Sequence, residues 1–373
     1  MRVALLLIGF GNVARRFVQL LREQEAFLRA HDVEPVIVGI CTRRHGYRFV
    51  TADEVGAGLD AVRLAQQVAG GDAVGPTSTQ ETARQLIAQL VSLPRPAGGA
   101  QDIEAHVVVE TTTLAIESGE PAVSHVRAAL RAGAHVVSAN KGPVAHAYHE
   151  LAQEAAAAGR HFLFEGAVMD GIPIFNLVRS TMPGVTIEGF RGVINSTTNH
   201  ILTALEAGEP FESALARMQA EGIAEADPSL DVDGWDAAAK VAALGNVWMD
   251  ARITPQDVVR AGIGPETALA ARAALSRGRR LKLVGSGKRR RVAFSSEKPP
   301  DVLFCVGLEV HEPDDPQSIL DGPANALEVQ TDPLGRVVIT QRDGGLEKTA
   351  YALFADLMTI VGQQKKDVGW LFR

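Results

Sequence analysis

Cysteine is nearly absent: among 373 residues only Cys41 and Cys305 occur. Two thiols support neither a disulfide framework nor a thiolate metal site. Such scarcity suits a reducing cytosol, the compartment expected here. Long apolar runs are missing as well. The first, Val3 to Ile8, is far too short to cross a bilayer, and no membrane partner is expected. Arg2 precedes that run as in a signal peptide, but the run passes straight into a glycine loop and an amphipathic helix with no small-residue cleavage site. Nor is there a basic surplus. The formal net charge is −7, which opposes a nucleic-acid partner. The single basic cluster, Lys288-Arg289-Arg290-Arg291, sits between apolar segments and reads as a solvated hairpin end. There is no internal repeat, and no low-complexity tract beyond the alanine run at 155–158.

What is present is an ordinary globular balance, 46% hydrophobic and 22% charged. The length exceeds one typical core, so two or more packed units are expected. RVALLLI (2–8) is a continuous apolar run, as expected of a strand buried on both faces. Val13, Phe17, Leu20, Leu21 and Phe27 then recur at helical spacing. VIVGI (36–40), HVVVE (106–110), HVVSAN (135–140) and HFLFEGAV (161–168) follow as strands, with helical patterns between most of them. That alternation predicts an α/β chain beginning with a Rossmann-type, doubly wound parallel sheet. Residues 51–104, rich in Ala, Gly, Gln and Pro and including PRPAGGA, read as a helical insertion. From about 186 the pattern becomes α+β. TIEGFRGVIN is a strand, helices follow at 197–207, 211–221 and 234–249, and LKLVGS, VAFSS, FCVGLEV, ALEVQT and RVVITQ are shorter strands. EKTAYALFADLMTIV closes the pattern as an amphipathic helix, with Ala350, Phe354, Leu357 and Ile360 on one face.

Gly9-Phe10-Gly11-Asn12-Val13-Ala14 fits G-x-G-x-x-[GA] between a buried strand and a helix. The first glycine allows the tight turn and the second lets a pyrophosphate approach the backbone. The small third residue allows close helix–strand packing, and the helix N-terminus offers free N–H groups to the anion. An NAD-preferring site expects an acid at the end of the second strand. Asp32 and Glu34 precede VIVGI, at its wrong end, whereas Arg43 and Arg44 follow it. Two guanidiniums suit a ribose 2′-phosphate, so NADP is favoured over NAD. ETTT (110–113) and SANKGP (138–143) also follow parallel strands, at the edge where ligands bind. Thr112 and Thr113 are candidates for cofactor contact, and Lys141 is a cation facing substrate or nicotinamide.

AEADPSLDVDGWDAAAK (224–240) crowds Glu225, Asp227, Asp231 and Asp236 ahead of Lys240. An i,i+4 ion pair accounts for Asp236 and Lys240, but not for the acids in the proline-containing loop before the helix. Gathered carboxylates suit a small substrate bearing an ammonium group. A desolvated lysine can exchange a proton with a substrate oxygen while a reduced nicotinamide delivers hydride.

GFGNVA, SANKGP, GVINSTTNHIL and AEADPSLDVDGWDAAAK, in this order, resemble homoserine dehydrogenase, as do GPANALEVQTD and DGGLEKTAYALFADL. The likeness runs across nearly the whole chain. It implies NAD(P)-dependent interconversion of L-homoserine and L-aspartate 4-semialdehyde, in threonine and methionine biosynthesis. By motif position it implies Lys240 as proton donor and acceptor, with Lys141 assisting. Glu225 would take the substrate ammonium, and Asp231 and Asp236 would shape the polar pocket. Gly9, Phe10, Gly11, Asn12, Val13, Arg43, Arg44, Thr112, Thr113, Lys141 and Gly345 would bind cofactor. The resemblance also implies a monovalent cation, typically sodium, held by Glu165 and by backbone carbonyls at Val168, Asp170 and Ile172. Met169-Asp170 stands where many members carry small residues, usually glycine, and Ser196 stands where glycine is common.

A homodimer is implied, formed through the central part of the chain. The domains expected are 1–150 for dinucleotide binding, with the insertion at 51–104, then 151–320 for catalysis and dimerisation. Residues 321–373 would return to the first domain. Longer relatives add a C-terminal regulatory domain or an N-terminal aspartate kinase; this sequence is read as the short form, without feedback inhibition through a built-in threonine-binding module.

Three rivals remain. Aspartate semialdehyde dehydrogenase needs a thiolate nucleophile, and neither Cys41 nor Cys305 is well placed for one. An amino-acid dehydrogenase acting on a keto acid is a looser alternative. A dinucleotide-sensing protein without turnover would be free to lose Lys240, Lys141 or Glu225, yet all three are present.

Overall fold

The computed structural model describes residues 1–93, 103–225, 227–289 and 302–365. PRPAGGA (94–100), Arg290 and Arg291 of the basic cluster, and VAFSS (292–296) lie outside the described residues. The chain divides into two compact units. One comprises Met1–Pro143, Ala147–Phe175 and the chain from Leu346 on; the other comprises Val144–His146 and Asn176–Gly345.

The first unit is built on six strands: β1 (Arg2–Ile8), β2 (Glu34–Thr42), β3 (Gly46–Phe49), β4 (Ala105–Glu110), β5 (His135–Ser138) and β6 (Phe162–Leu163). Their order is β3-β2-β1-β4-β5-β6, parallel throughout except for the β2–β3 hairpin. All seven residues of β1 are buried, as a strand with both faces covered requires. Val3, Leu5 and Leu7 pack in one cluster with Phe17 and Leu21 from helix Asn12–Glu23 and with Leu353, Leu357 and Ile360 from helix Leu346–Gln364. Arg16 ties those two helices together by its ion pair with Glu347. Chain order reverses between β2-β1 and β4, so the carboxyl ends of β1 and β4 flank the topological switch point.

The second unit holds β7 (Thr186–Val193), β8 (Val259–Arg260), β9 (Arg280–Arg289), β10 (Val302–His311), β11 (Asn325–Asp332) and β12 (Gly335–Gln341), in the order β12-β11-β7-β9-β10-β8. All pairs are antiparallel except β10–β8. Helix Trp235–Met249 is apolar on nearly every side, with Ala237, Ala238, Ala239, Ala242 and Ala243 all buried, which marks an internal helix.

Several expectations need correction. The strand expected at 161–168 stops after Phe162–Leu163, and Glu165–Ala167 form a 3₁₀ turn. The Glu165 N–H is drawn out of the sheet by the carboxylate of Asp356, 2.8 Å away. The sheet is not wholly parallel, because Arg43 and Arg44 occupy a tight turn that sends β3 back along β2. Asp231 lies in a short helix, Ser229–Val232, rather than in a loop. Of the basic cluster's two described residues Lys288 is exposed, but Arg289 is half-buried: it ends β9 and donates to the carbonyls of Ile187 and Met249. The units divide after Phe175 and after Gly345, not at 150 and 320. β6 completes the parallel sheet by pairing with β5, and β11 and β12 pair into the second one.

Candidate active site

In the first unit, β1 ends in Gly9 with φ +89°, a conformation that favours glycine. A Cβ there would lie 2.5 Å from the Thr111 carbonyl carbon, so packing alone forbids a side chain. The Gly9 N–H donates to the Cys41 carbonyl, and the Thr111 hydroxyl donates to the Gly9 carbonyl at 3.0 Å. Gly11 differs: a Cβ there would meet no protein atom within 4 Å. No side chain caps helix Asn12–Glu23, which starts there with no acid in its first turn. These features fit an anion seated against the backbone from Gly9 to Val13.

The arginine turn is bolted down by the insertion. Thr42 accepts from the His45 N–H through its hydroxyl and from the Ser78 hydroxyl through its carbonyl. The Val74 N–H donates to the His45 carbonyl, and the Tyr47 N–H to the Pro76 carbonyl. Arg43 and Arg44 project exposed from this held turn.

On the other side of β1, Thr112 donates from its N–H and hydroxyl to the Glu110 carboxylate. Asn140, just after β5, donates through Nδ2 to the Thr112 carbonyl at 2.9 Å and accepts the Gly142 N–H at 2.8 Å. Lys141 lies between those two residues and caps helix Gly142–Ala158. Thr112 and Lys141 are thereby brought together, while Thr113 is exposed. Gly345, with φ +124°, is the last residue of the second unit, directly before helix Leu346–Gln364.

In the second unit the carboxylates and the lysine converge. Lys240 donates from Nζ to the Ile194 carbonyl at 2.6 Å and lies 3.0 Å from Asp236 Oδ2. An exposed i,i+4 pair contributes only about 0.3–0.5 kcal/mol. Here both side chains are about 15% exposed, and a strand-end carbonyl holds the ammonium as well, so surface pairing alone does not describe the contact. Asn195 was overlooked in the sequence, although GVINSTTN contains it. Its Nδ2 donates to Asp231 at 2.6 Å and to Asp236 at 2.9 Å, while its Oδ1 caps helix Ser196–Glu206 through the Thr198 N–H. Burial, and then the neighbouring Asp236 carboxylate, hold the Asp231 carboxyl above its usual pKa; Asn195 and Lys240 oppose that rise. Gly234, with φ +78°, turns the chain from the short helix into the long one. Arg260 stacks on Trp235 at 3.4 Å. Glu225 and Asp227 do not join this group. Glu225 is exposed, and Asp227 caps the Ser229 N–H.

Around the implied cation ligands, Glu165 is buried and accepts the Phe175 N–H at 2.8 Å. Asp170 has φ +48° and accepts from the Thr349 hydroxyl. That backbone explains why glycine suits the position and why aspartate is tolerated there. The Ile172 carbonyl already accepts from the Ile174 N–H, which leaves its second lone pair. Among the described residues no three His, Cys, Asp or Glu side chains could ligate one ion. A cation here would therefore rest on carbonyls beside Glu165, an all-oxygen set suited to a hard ion.

Neither cysteine is poised as a nucleophile. Burial pushes both the Cys41 and the Cys305 thiol above the usual pKa, away from the thiolate. No helix among the described residues is long and apolar enough to cross a membrane.

The family model described as "Homoserine dehydrogenase" matches residues 173–358, and "Homoserine dehydrogenase, NAD binding domain" matches 9–165. An NAD(+)-dependent homoserine dehydrogenase of Pseudomonas canavaninivorans is 32% identical over 367 residues, 95% of either chain. The crystal structure of a homoserine dehydrogenase from Thiobacillus denitrificans superposes with a TM-score of 0.76 at 28% identity, covering 98% of this chain and 75% of that one. A hyperthermophilic archaeal homoserine dehydrogenase in complex with NADPH shares the fold, with a TM-score of 0.73 at 23% identity over 97% and 98% of the two chains. The chain belongs to the homoserine dehydrogenase family.

Proposed function

We propose that this chain interconverts L-homoserine and L-aspartate 4-semialdehyde with Lys240 as the proton donor and acceptor, as a step toward threonine and methionine. The carrying observation is the ammonium of Lys240, held at the end of β7 by the Ile194 carbonyl and Asp236 beside a second carboxylate. A bound reduced nicotinamide supplies the hydride to the carbonyl carbon. Lys240 gives a proton to the carbonyl oxygen, producing the alcohol, and takes it back in the reverse direction. Lys141 assists at the substrate end of the cofactor. Asp231 and Asp236 bound the polar pocket, and Glu225, exposed outside that group, is assigned to the substrate ammonium by its place in the motif.

The first unit binds the dinucleotide through Gly9–Val13, Thr112, Thr113 and Lys141; Gly345 is assigned to the cofactor by its place in the motif alone. The Pseudomonas relative is named for NAD(+) and the archaeal structure holds NADPH. For this chain NADP is the better fit, because the held turn offers Arg43 and Arg44 and no acid. Sodium would sit with Glu165 and the carbonyls of Val168, Asp170 and Ile172. The second unit carries the homodimer contact; exposed Leu303, Leu308 and Val310 along β10 support an apolar interface. The two free thiols suit a cytoplasmic protein.

The test is absorbance at the nicotinamide band with homoserine and NADP, then NAD, for the intact protein and for Lys240→Ala. Activity is expected to fall by about 10²–10⁴-fold in the variant, with dinucleotide binding unchanged. Binding without turnover in the intact protein would instead favour a sensor or another amino-acid substrate.

A further inference from the structure

Glu110 ends β4 with no exposed surface, an unusual place for a carboxylate. Its Oε1 accepts the Thr112 N–H at 3.1 Å and the Thr112 hydroxyl. Its Oε2 is buried without a hydrogen-bond partner among the described residues. The imidazole of His125 lies beside it, with Nδ1 3.6 Å from Oε1 and likewise buried without a hydrogen bond. That distance is beyond a true hydrogen bond. A carboxylate kept dry with half its acceptors unused is costly, and an apolar side chain would fill the end of β4 at lower cost. What an apolar side chain lacks is the acceptor for both donors of Thr112.

The consequence runs outward in two steps. Thr112, fixed by Glu110, presents its carbonyl to Asn140 Nδ2, and Asn140 Oδ1 receives the Gly142 N–H. The Glu110 carbonyl also accepts from the Ala139 N–H and the Ser138 hydroxyl. The loops after β4 and β5 are thus registered to one another through a single residue, and Lys141 hangs between two of the registered positions.

We propose that Glu110 is a positioning residue, which fixes the Thr112 and Lys141 loops in the geometry that receives the nicotinamide dinucleotide. This rests on the dinucleotide-binding role assigned above to those loops. It makes Glu110 a determinant of cofactor affinity although it touches neither cofactor nor substrate.

The test compares Glu110→Ala, Glu110→Gln, Glu110→Leu and Asn140→Asp by NADPH fluorescence titration, with KM and kcat measured separately and folding followed by circular dichroism. Glu110→Ala removes the acceptor of both Thr112 donors and should weaken NADPH binding by about tenfold or more. Glu110→Gln keeps an acceptor oxygen and should restore affinity to within about threefold, which a role of the charge would not predict. Glu110→Leu keeps the bulk without the acceptor and should be as impaired as Glu110→Ala, which a packing role would not predict. Asn140→Asp deletes the donor to Thr112 while keeping the acceptor for Gly142, and should reproduce the loss even if Glu110→Ala fails to fold. The proposal is overturned if Glu110→Ala or Asn140→Asp binds NADPH as the parent does, or if Glu110→Gln is as impaired as Glu110→Ala. An intact protein that binds NADPH but does not oxidise homoserine would sink the substrate assignment and leave these binding comparisons decisive for Glu110.

Discussion

The two units solve one problem, holding a lysine still, by opposite means. In each, an asparagine just beyond a strand end does the joining: Asn140 after β5 and Asn195 after β7. Asn140 fixes backbone. It bridges the Thr112 carbonyl and the Gly142 N–H, so the peptide on either side of Lys141 is set. Asn195 fixes side chains, spanning two carboxylates, one of which contacts the Lys240 ammonium. Lys141 starts its helix, whereas Lys240 lies inside a buried alanine-rich one. On the role proposed for Lys240, a group that presents a proton at a fixed point needs its terminal atoms held.

The largest expected effect comes from breaking the side-chain arrangement. Asn195→Ala should lower kcat about 100-fold, as expected for a misplaced proton donor, while leaving NADPH binding at the parent value. A drop in binding with kcat preserved would contradict the division of labour between the units. The cap lost with Asn195 should also cost about 1 kcal/mol of stability, measurable by urea denaturation.

A finer contrast lies within the glycine loop. Gly9→Ala must force a side chain into the Thr111 backbone at positive φ, and should lower thermal stability by about 2 kcal/mol or more. Gly11→Ala meets no protein atom, so it should leave the melting temperature nearly unchanged while weakening dinucleotide binding. Equal stability losses for the two would mean that Gly11 serves the fold rather than the ligand.

The smallest effect concerns the opposite edge of the same sheet. His135, stacked on His161, has its pKa pushed down to about 3 by burial and then by the neighbouring His161, Arg160 and His106. The folded state therefore holds this ring neutral where the unfolded chain would protonate it. Its contribution is complete above the ordinary histidine pKa near 6.5 and is lost as pH falls toward 3. Denaturation midpoints measured from pH 7 to 4 should fall less steeply in His135→Gln. An unchanged slope would place the acid sensitivity elsewhere.

Much of this was legible from local pattern. The continuous apolar runs gave β1, β4 and β5, and the glycine loop stood where a strand meets a helix. The acids at 231 and 236 and the lysine at 240 were visible as a cluster. What escaped depended on partners distant in sequence. Glu165 leaves the sheet for Asp356, 191 positions away. The arginine turn is held by residues 74–78, a stretch whose Gly and Pro content reads as spacer. Nothing local to Asn195 signals that its amide reaches Asp231, 36 positions on.

Helix Leu346–Gln364 covers one face of β1, packing Leu353, Leu357 and Ile360 on Val3, Leu5 and Leu7. During synthesis those strand residues emerge from the ribosome more than 340 residues before their cover. The intervening chain of the second unit can complete its own sheet while β1 still waits. The sheet begun earlier of the two is therefore completed later, with the apolar face of β1 awaiting a cover that is distant in the chain.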